Sequence, residues 1–319
     1  MKNEVDWWEL DDNEILLLND QTIDFLLSEI KRKYRSLNWF RRKLNIGMEI
    51  YHSLKYKNQG ISVSHLKKIL KELKLTFDII NENVVGIGKY KSLKNTKFPI
   101  KISPYWGELL AHSFFDGYAD KFVMRYSNYD ANNRKEFVLL VKRIFGNNIA
   151  INKPDNYERN IDLPPTVPRL LSKFFGIKVF YSKRCRISKK FFDLVKEDNR
   201  IGYYFLKGAF IDEGSITGGQ IFIVRGIKNR KLAKDVEKLS KLLELNTGIK
   251  KSNKKLFGYS VVLYRDSWES FYEIIKTITW NHNHKIIHMN KMLILSQIPR
   301  NRNIYGKFIK TEIGRIFNG

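Results

Sequence analysis

The chain has 319 residues, of which 43% are hydrophobic and 13% aromatic, and it carries 58 Lys and Arg against 33 Asp and Glu. This composition excludes a disordered chain, because it provides enough apolar side chains for about two domains of ~150 residues each. The net charge of +25 favours a nucleic-acid partner over a merely soluble basic protein, since each neutralised phosphate releases a condensed counterion.

Membrane and secreted classes are not indicated. No run reaches the ~18 apolar residues of a membrane span, and the acidic start MKNEVDWWELDDNE is unlike a signal peptide. The single cysteine, Cys185, excludes an intrachain disulfide and a cysteine-based zinc site. We therefore expect a cytoplasmic protein with no membrane partner and no small-molecule substrate.

The first part of the chain predicts short amphipathic helices. Apolar residues recur at helical spacing in four segments: TIDFLLSEIKRKY, SLNWFRRKLNI, MEIYHSLKYK and SVSHLKKILKELKL. Ser36 precedes the second segment as an N-cap, Gly47 separates the second from the third, and Ser62 or Ser64 caps the fourth. We predict a small all-α domain over residues 1–88.

A helix, a tight turn with glycine and a second helix follow the helix-turn-helix plan. The second helix, roughly Met48 to Lys57, presents His52, Lys55 and Lys57 to phosphates or base edges. The segment resembles the phage-repressor type of helix-turn-helix domain, and a small helical packing domain is the alternative. Residues 89–104 follow Gly86 and Gly88, are basic, contain proline, and predict a linker.

Two apolar segments each end in a carboxylate followed by glycine. They are LLAHSFFDG at residues 109–117 and LKGAFIDEG at residues 206–214, so their glycines are 214 − 117 = 97 positions apart. Each has leucine first and a small residue third, Ala111 or Gly208. The eighth residues are Asp116 and Glu213. The spacing indicates an internal repeat.

The residues after each segment support the repeat. Both halves read as α-β-β-α-β-β-α, over residues 105–180 and 201–300, with a basic linker at residues 181–200 and a basic tail at residues 301–319. The predicted fold class is α+β, with two pseudo-symmetric repeats that form a saddle of antiparallel sheets behind the N-terminal helical domain.

The two nonamers resemble the motifs of LAGLIDADG homing endonucleases. The resemblance covers about residues 105–300, and two motifs in one chain imply a free-standing monomer with internal pseudo-twofold symmetry. It implies that the two motif helices pack together, with Ala111 facing Gly208. It also implies that Asp116 and Glu213 lie side by side at a surface that binds double-stranded DNA.

The resemblance implies a metal-dependent chemistry at these carboxylates. Two adjacent carboxylates repel unless a cation lies between them, and Mg²⁺ or Mn²⁺ takes such hard oxygen ligands. The expected ligands are Asp116 and Glu213, with the backbone of Gly117 and Gly214 as further candidates. A metal-activated water can then cleave a phosphodiester bond.

Basic and polar residues on the predicted strands are the expected DNA contacts. The candidates are Lys121, Arg125, Lys153, Arg159, Gln220, Arg225, Lys250 and Lys255. The register decides which of them face DNA, because a slip of one residue exchanges the two faces. Family members place a basic residue near the end of the last strand, which makes Arg265 the expected catalytic partner and Lys251 a second candidate.

Several residues depart from the motif pattern. The seventh position, usually small, holds Phe115 and Asp212, while His112 and Lys207 are polar positions in apolar helices. We expect His112 to be a satisfied or partly exposed residue rather than a ligand, and Asp212 to be a solvated neighbour or a supplementary acid.

The sequence thus predicts a site-specific, metal-dependent DNA endonuclease. The alternative is a non-cleaving nucleic-acid-binding protein on the same fold, either an RNA maturase or a transcriptional regulator. Both motif acids are present, with Glu213 as a conservative replacement for aspartate, which favours the nuclease.

Overall fold

The structure is a computed structural model that describes residues 3–56, 60–88, 93–94, 96–119, 123–147, 149, 151, 159–178, 180, 183–217, 219–251, 258–276 and 283–297. Its helices and antiparallel sheets confirm the predicted α+β class. Within the described residues, none of the helices is long and apolar enough to cross a membrane.

The elements alternate along the chain. The helices are α1 (Asp20–Lys33), α2 (Leu37–Lys43), α3 (Met48–Tyr56), α4 (Val63–Leu73), α5 (Pro104–Phe114), α6 (Ala131–Phe145), α7 (Thr166–Phe175), α8 (Lys189–Glu197), α9 (Asn199–Glu213), α10 (Arg230–Leu242), α11 (Trp268–Ile275) and α12 (Asn283–Gln297). The strands are β1 (Glu4–Val5), β2 (Ile15–Leu18), β3 (Ile61–Ser62), β4 (Val84–Ile87), β5 (Leu93–Lys94), β6 (Ile100–Lys101), β7 (Gly117–Ala119), β8 (Met124–Ser127), β9 (Asn160–Leu163), β10 (Ser215–Thr217), β11 (Gln220–Ile227), β12 (Thr247–Lys251) and β13 (Tyr259–Leu263).

The four N-terminal helices lie where the sequence predicts them. The hydroxyl of Ser36 accepts a hydrogen bond from the backbone of Trp39, and the hydroxyl of Ser62 accepts one from the backbone of His65, so both serines are N-caps. The prediction of a purely helical region needs correction, because the strands form an antiparallel sheet in the order β3-β2-β4-β5. The apolar runs ILLL and VVGI are too short for a buried helix and form strands instead.

The stretch 89–104, expected as a linker, contains β5 and β6 among its described residues. Strand β6 pairs with β1, with Glu4 opposite Lys101. The buried carboxylate of Glu14 accepts hydrogen bonds from Thr166 at 2.6 Å and Arg169 at 2.5 Å, both on α7. The N-terminal region is therefore attached by a strand pair to the segment that leads into α5, and by a buried carboxylate to α7 of the first repeat.

The two repeats have matching element orders. The first contains α5, β7, β8, α6, β9 and α7, and the second contains α9, β10, β11, α10, β12, β13 and α11. Their sheets have the orders β7-β8-β9 and β10-β11-β13-β12. The sequence predicts a further strand of the first repeat at residues 149–152, of which residues 150 and 152 lie outside the described residues. The predicted linker 181–200 holds α8 and the start of α9.

Helices α5 and α9 pack against each other closely enough to require glycine. A Cβ on Gly107 would lie 2.2 Å from the carbonyl oxygen of Ile201, and a Cβ on Gly208 would lie 2.9 Å from the Cβ of Ala111. The predicted contact between Ala111 and Gly208 is confirmed. Because a backbone oxygen cannot move aside as a side chain can, Gly107 fixes the closest approach of the two helices.

Polar residues at this interface are paired across it. The ammonium of Lys207 on α9 lies 3.3 Å from a carboxylate oxygen of Glu108 on α5, and both side chains are about nine-tenths buried. A lysine at position 207 is therefore tolerated in an apolar helix because its partner, Glu108, lies on the facing helix. Breaking such a pair by removing one partner leaves an uncompensated charge.

We expect Gly107→Ala to destabilise the fold by about 1–3 kcal/mol, because the added methyl group overpacks the helix interface. Urea unfolding followed by circular dichroism measures this change. The control is Gly47→Ala, whose new Cβ meets only the side chain of Glu49, at 3.4 Å. Equal midpoints for wild type and Gly107→Ala would contradict the close approach.

Candidate functional site

The site lies where the two motif helices end. Asp116 follows Phe115, the C-cap of α5, and Glu213 is the last residue of α9. The charges of Asp212 and Glu213 both act on Asp116, so the structure brings these three carboxylates together. The return strands begin at once: β7 starts at Gly117, and Gly214 caps α9 before β10. The backbone of these two glycines as a source of metal ligands stays a prediction.

Asp116 is half-buried in a negative environment. Burial, followed by the charges of Asp212 and Glu213, raises the pKa of its carboxyl group to about 7. The amide of Asn128 donates a hydrogen bond to Oδ2 of Asp116 at 2.9 Å, and this hydrogen bond lowers the pKa of Asp116. A positive charge placed next to Asp116 would therefore stabilise its ionised form.

Asp212 is a buried partner of His112 rather than a solvated neighbour. Its side chain is 0% exposed, and its Oδ2 lies 2.9 Å from Nδ1 of His112 on the facing helix. Burial lowers the pKa of His112, but the charge and hydrogen bond of Asp212, together with the charges of Glu108 and Asp116, raise that pKa overall. The hydroxyl of Tyr126 also reaches Asp212, at 3.4 Å. The expectation that His112 is a satisfied residue is correct, whereas the solvated position of Asp212 is wrong.

Glu213 lines a cavity of about 280 Å³. Burial and the charge of Asp212 raise the pKa of Glu213, and the charge of Lys285 opposes them. Phe115 forms one wall of the cavity, which shows how the bulky seventh residue of the first motif is accommodated. Two lysines, Lys183 and Lys228, also line it. A carboxylate and two ammonium groups around one cavity suit a phosphate together with a cation.

Lys285 is the residue that sequence reasoning missed. It lies on α12, and its Nζ donates to the carbonyl oxygens of Phe210 and Ile211, both at 2.8 Å. Burial lowers the pKa of Lys285 to about 8, while the charges of Asp212, Asp116 and Glu213 act to raise it. No sequence pattern marks this lysine, because α12 lies outside both motifs and the contact spans more than seventy residues.

The carboxylates fit a divalent cation as far as the donor set is concerned. Asp116 and Glu213 offer hard oxygen donors, and a cation would offset the repulsion that raises their pKa values. Among the described residues, no group of three or more His, Cys, Asp or Glu side chains is arranged to hold a metal ion. An ion at this site therefore needs water or phosphate oxygens to complete its shell, as Mg²⁺ commonly does.

The register of the second sheet describes where Arg265 lies, and its catalytic role stays a prediction. Leu263 pairs with Ile221, which pairs with Ile216, so β13 runs towards the β10–β11 turn and away from Glu213. Arg265 begins a short 3₁₀ turn beyond that end of the sheet. Lys251 lies on the outermost strand, β12, where it pairs with Tyr259 of β13. The lysines that the structure brings near the acids are instead Lys285, Lys183 and Lys228.

The structure fixes the register of the first sheet, whose exposed face is polar. Arg125 on β8 is exposed and forms a two-pronged pair with Asp162 on β9, at 2.7 and 3.0 Å. Ser127 donates to Asn160 on the same face at 2.6 Å. The guanidinium of Arg159 lies 3.9 Å from the centroid of the Tyr129 ring.

The second sheet also exposes predicted contacts. Lys250 donates to Gln220 at 3.0 Å, and Arg225 is exposed on β11 with its guanidinium 5.3 Å from the centroid of the Phe222 ring. These side chains stay predicted DNA contacts.

In the N-terminal region, His52 stacks on Tyr56 with a centroid distance of 5.4 Å, and the ammonium of Lys55 lies 5.0 Å from the Tyr56 ring. This places both predicted contacts of α3 in one cluster of aromatic and basic groups. Four further predicted contacts lie outside the described residues: Lys57, Lys121, Lys153 and Lys255.

Comparison with known proteins is informative mainly for the second repeat. Residues 203–276 match the family of the LAGLIDADG-like domain. A structure of mesophilic variants of the homing endonuclease I-DmoI is similar at 16% identity, over 54% of this chain and 94% of that one, with a TM-score of 0.40. A structure of I-DmoI in complex with DNA and Mn is similar at 15% identity, over 56% and 98%, with a TM-score of 0.41.

The full-length DUF199/WhiA protein from Thermatoga maritima is similar at 14% identity, over 67% of this chain and 68% of that one, with a TM-score of 0.41. None of the curated proteins compared with the chain matches it. The matched residues begin inside α9, include Glu213, and end after α11. Residues 203–276 of the chain are therefore similar to the LAGLIDADG-like domain family.

Proposed function

We propose that the protein is a metal-dependent endonuclease that cleaves double-stranded DNA at a specific site. The observation that carries the proposal is the meeting of Asp116 and Glu213 at the ends of two tightly packed helices, in a setting that raises the pKa of both carboxyl groups. A site that raises the pKa of neighbouring acids and opens into a cavity is typical of a functional centre.

Asp116 and Glu213 would hold the divalent ion, Mg²⁺ or Mn²⁺, through their carboxylate oxygens. The ion supplies Lewis-acid activation of water and of the phosphodiester. Asn128 orients Asp116 through its hydrogen bond to Oδ2. Lys183 and Lys228 would attract the phosphate into the cavity beside Glu213. His112 pairs with Asp212, and this third acid is buried rather than exposed to the ion.

The exposed faces of the two sheets are the proposed DNA-binding surface. They carry Arg125, Gln220, Arg225 and Lys250, and the chain as a whole has a net charge of +25. A sheet can place alternate side chains into the major groove, where each base pair presents a distinct pattern of donors and acceptors. Because one chain supplies both motifs, we propose that it acts as a monomer. The cluster of His52, Lys55 and Tyr56 on α3 would extend the contact to flanking DNA.

A non-cleaving nucleic-acid-binding protein is the second candidate. The observation that favours it is the presence of cationic partners in the site: His112 pairs with Asp212, and Lys285 lies in the field of all three acids. Partly compensated carboxylates can be retained for packing alone. Cleavage assays separate the two candidates.

We expect the wild-type protein with Mg²⁺ to cut or nick duplex DNA taken from the region that flanks its gene, and Asp116→Asn to slow cutting by at least about 100-fold. The amide keeps the shape of Asp116 but loses the charge that holds the ion. DNA binding in a gel-shift assay should persist. A radiolabelled duplex resolved on denaturing gels measures cutting of each strand.

The matched control is Asp193→Asn on α8, which removes a surface carboxylate that pairs with its neighbour Lys196. It should cut as fast as wild type. Equal cutting by wild type and Asp116→Asn would refute the nuclease assignment, and binding without cutting in the wild type would favour the second candidate.

Without metal, we expect the free energy of unfolding to fall as the pH rises from about 4 to about 7. The unfolded carboxyl titrates near 3.8 and the folded one near 7, so Asp116 stabilises the fold while protonated and loses that contribution as the pH passes the folded value. The loss amounts to at most about 4 kcal/mol, at about 1.36 kcal/mol per pKa unit. Urea unfolding with EDTA at pH 4 and at pH 8 measures it. Asp116→Asn should show a smaller loss, and an identical loss would argue against a raised pKa.

Binding to duplex DNA should weaken steeply with salt. If about six phosphates are contacted, the affinity falls about 1000-fold between roughly 50 and roughly 200 mM salt. Fluorescence anisotropy at several salt concentrations gives the slope, and Arg225→Gln should reduce that slope by about one. A flat salt dependence would contradict groove binding by the basic sheets.

A further inference from the structure

A lysine on α12, outside the elements that the two repeats share, closes the end of the second motif helix. The last carbonyl groups of a helix have no partner within it, and positive charge is favourable beside them. Nζ of Lys285 donates to the carbonyl oxygens of Phe210 and Ile211, both at 2.8 Å. The carbonyl of Phe210 also accepts from the backbone of Gly214, at 3.0 Å. Lys285 thus fastens the last turn of α9, from which Glu213 projects.

The ammonium group is held in place by packing. Helix α12 contacts α11 and β10, and its Met289 and Met292 are 0% and 3% exposed. The ring of Phe210 lies 5.2 Å from the ammonium, which adds a cation–π contact. Because the backbone of α12 is fixed by buried side chains, the amino group of Lys285 is held next to the site.

All three acids of the site lie in the field of this charge. Asp212, Asp116 and Glu213 each act on Lys285, and Lys285 acts in return on Glu213. The other motif helix ends differently, since Asp116 receives the neutral amide of Asn128. Three carboxylates so close together repel one another, and a fixed positive charge offsets part of that repulsion.

We propose that Lys285 is a positioning residue of the acidic site: it balances the carboxylates when no metal ion is bound and weakens the uptake of a divalent cation there. The proposal rests on the proposed function for the identity of the cation. It makes α12, which lies outside the matched LAGLIDADG-like residues, a part of the site.

The test measures Mn²⁺ binding to the full chain without DNA, using the electron paramagnetic resonance signal of free Mn²⁺. Lys285→Met and Lys285→Gln remove the charge, and Gln keeps a donor for the helix carbonyls. Both should bind Mn²⁺ roughly 3- to 30-fold more tightly, because the ammonium group of Lys285 no longer repels the Mn²⁺ ion. Lys285→Arg keeps the charge and should bind like wild type.

The matched control is Lys291→Met, the same change on the same helix, which should leave Mn²⁺ affinity unchanged. Asp116→Asn should weaken binding and so identifies the site being titrated. Wild-type affinity in both neutral variants, or equal tightening in Lys291→Met, would overturn the proposal. Loss of the fold in both neutral variants would also overturn it, because Lys285 would then be a folding requirement rather than a modulator.

The two proposals fail in distinguishable ways. If the neutral variants bind Mn²⁺ more tightly but no variant cuts DNA, the nuclease function fails and the role of Lys285 stands. If the wild type cuts DNA and the neutral variants bind Mn²⁺ as it does, only the role of Lys285 fails. Absence of Mn²⁺ binding to wild type and to every variant would overturn both.

Discussion

The contact between helices α5 and α9 determines the rest of the site. A methyl group at Gly107 would meet the backbone oxygen of Ile201 at 2.2 Å, so the two helices approach as closely as their backbones allow. Helices this close end close together, and the residues after the last turn have no room to separate. Asp116 and Glu213 become neighbours because of this packing. The acidic site is therefore a consequence of the helix interface rather than of the strands that follow it.

Several acids that lie close together in a partly buried position repel one another and lose hydration. Basic groups at the helix interface offset this unfavourable electrostatic energy. Lys207 pairs with Glu108 one or two turns before the helix ends, and His112 pairs with Asp212 nearer to them. Burying a paired charge is tolerable where burying a lone one is not. The polar residues that interrupt the apolar motif pattern are thus pairs across the interface. Each member of a pair is on the opposite helix from its partner.

The repeat and the two acids could be predicted from the sequence because both appear as local patterns. A nonamer that ends in a carboxylate and glycine is visible in the residues from 109 to 117, and its second copy sets the spacing. The basic partner was not predictable in this way. Lys285 approaches from α12 through three-dimensional packing, whereas Arg265, chosen by strand position, lies beyond the far end of its sheet. The N-terminal strands were missed because runs of four apolar residues do not distinguish a strand from part of a helix.

The two helix ends are not equivalent, although the motifs that form them are. Asp116 receives a neutral amide from Asn128, and its pKa is about 7, whereas Glu213 faces the cavity and the charge of Lys285. An ammonium group makes a carboxylate easier to ionise but a poorer site for a second cation, while an amide does neither to the same degree. Under the proposed nuclease function, each strand of DNA would therefore meet a carboxylate with a different affinity for the ion. Unequal cleavage of the two strands would then arise from helix α12, which follows the matched residues 203–276, rather than from the motifs themselves.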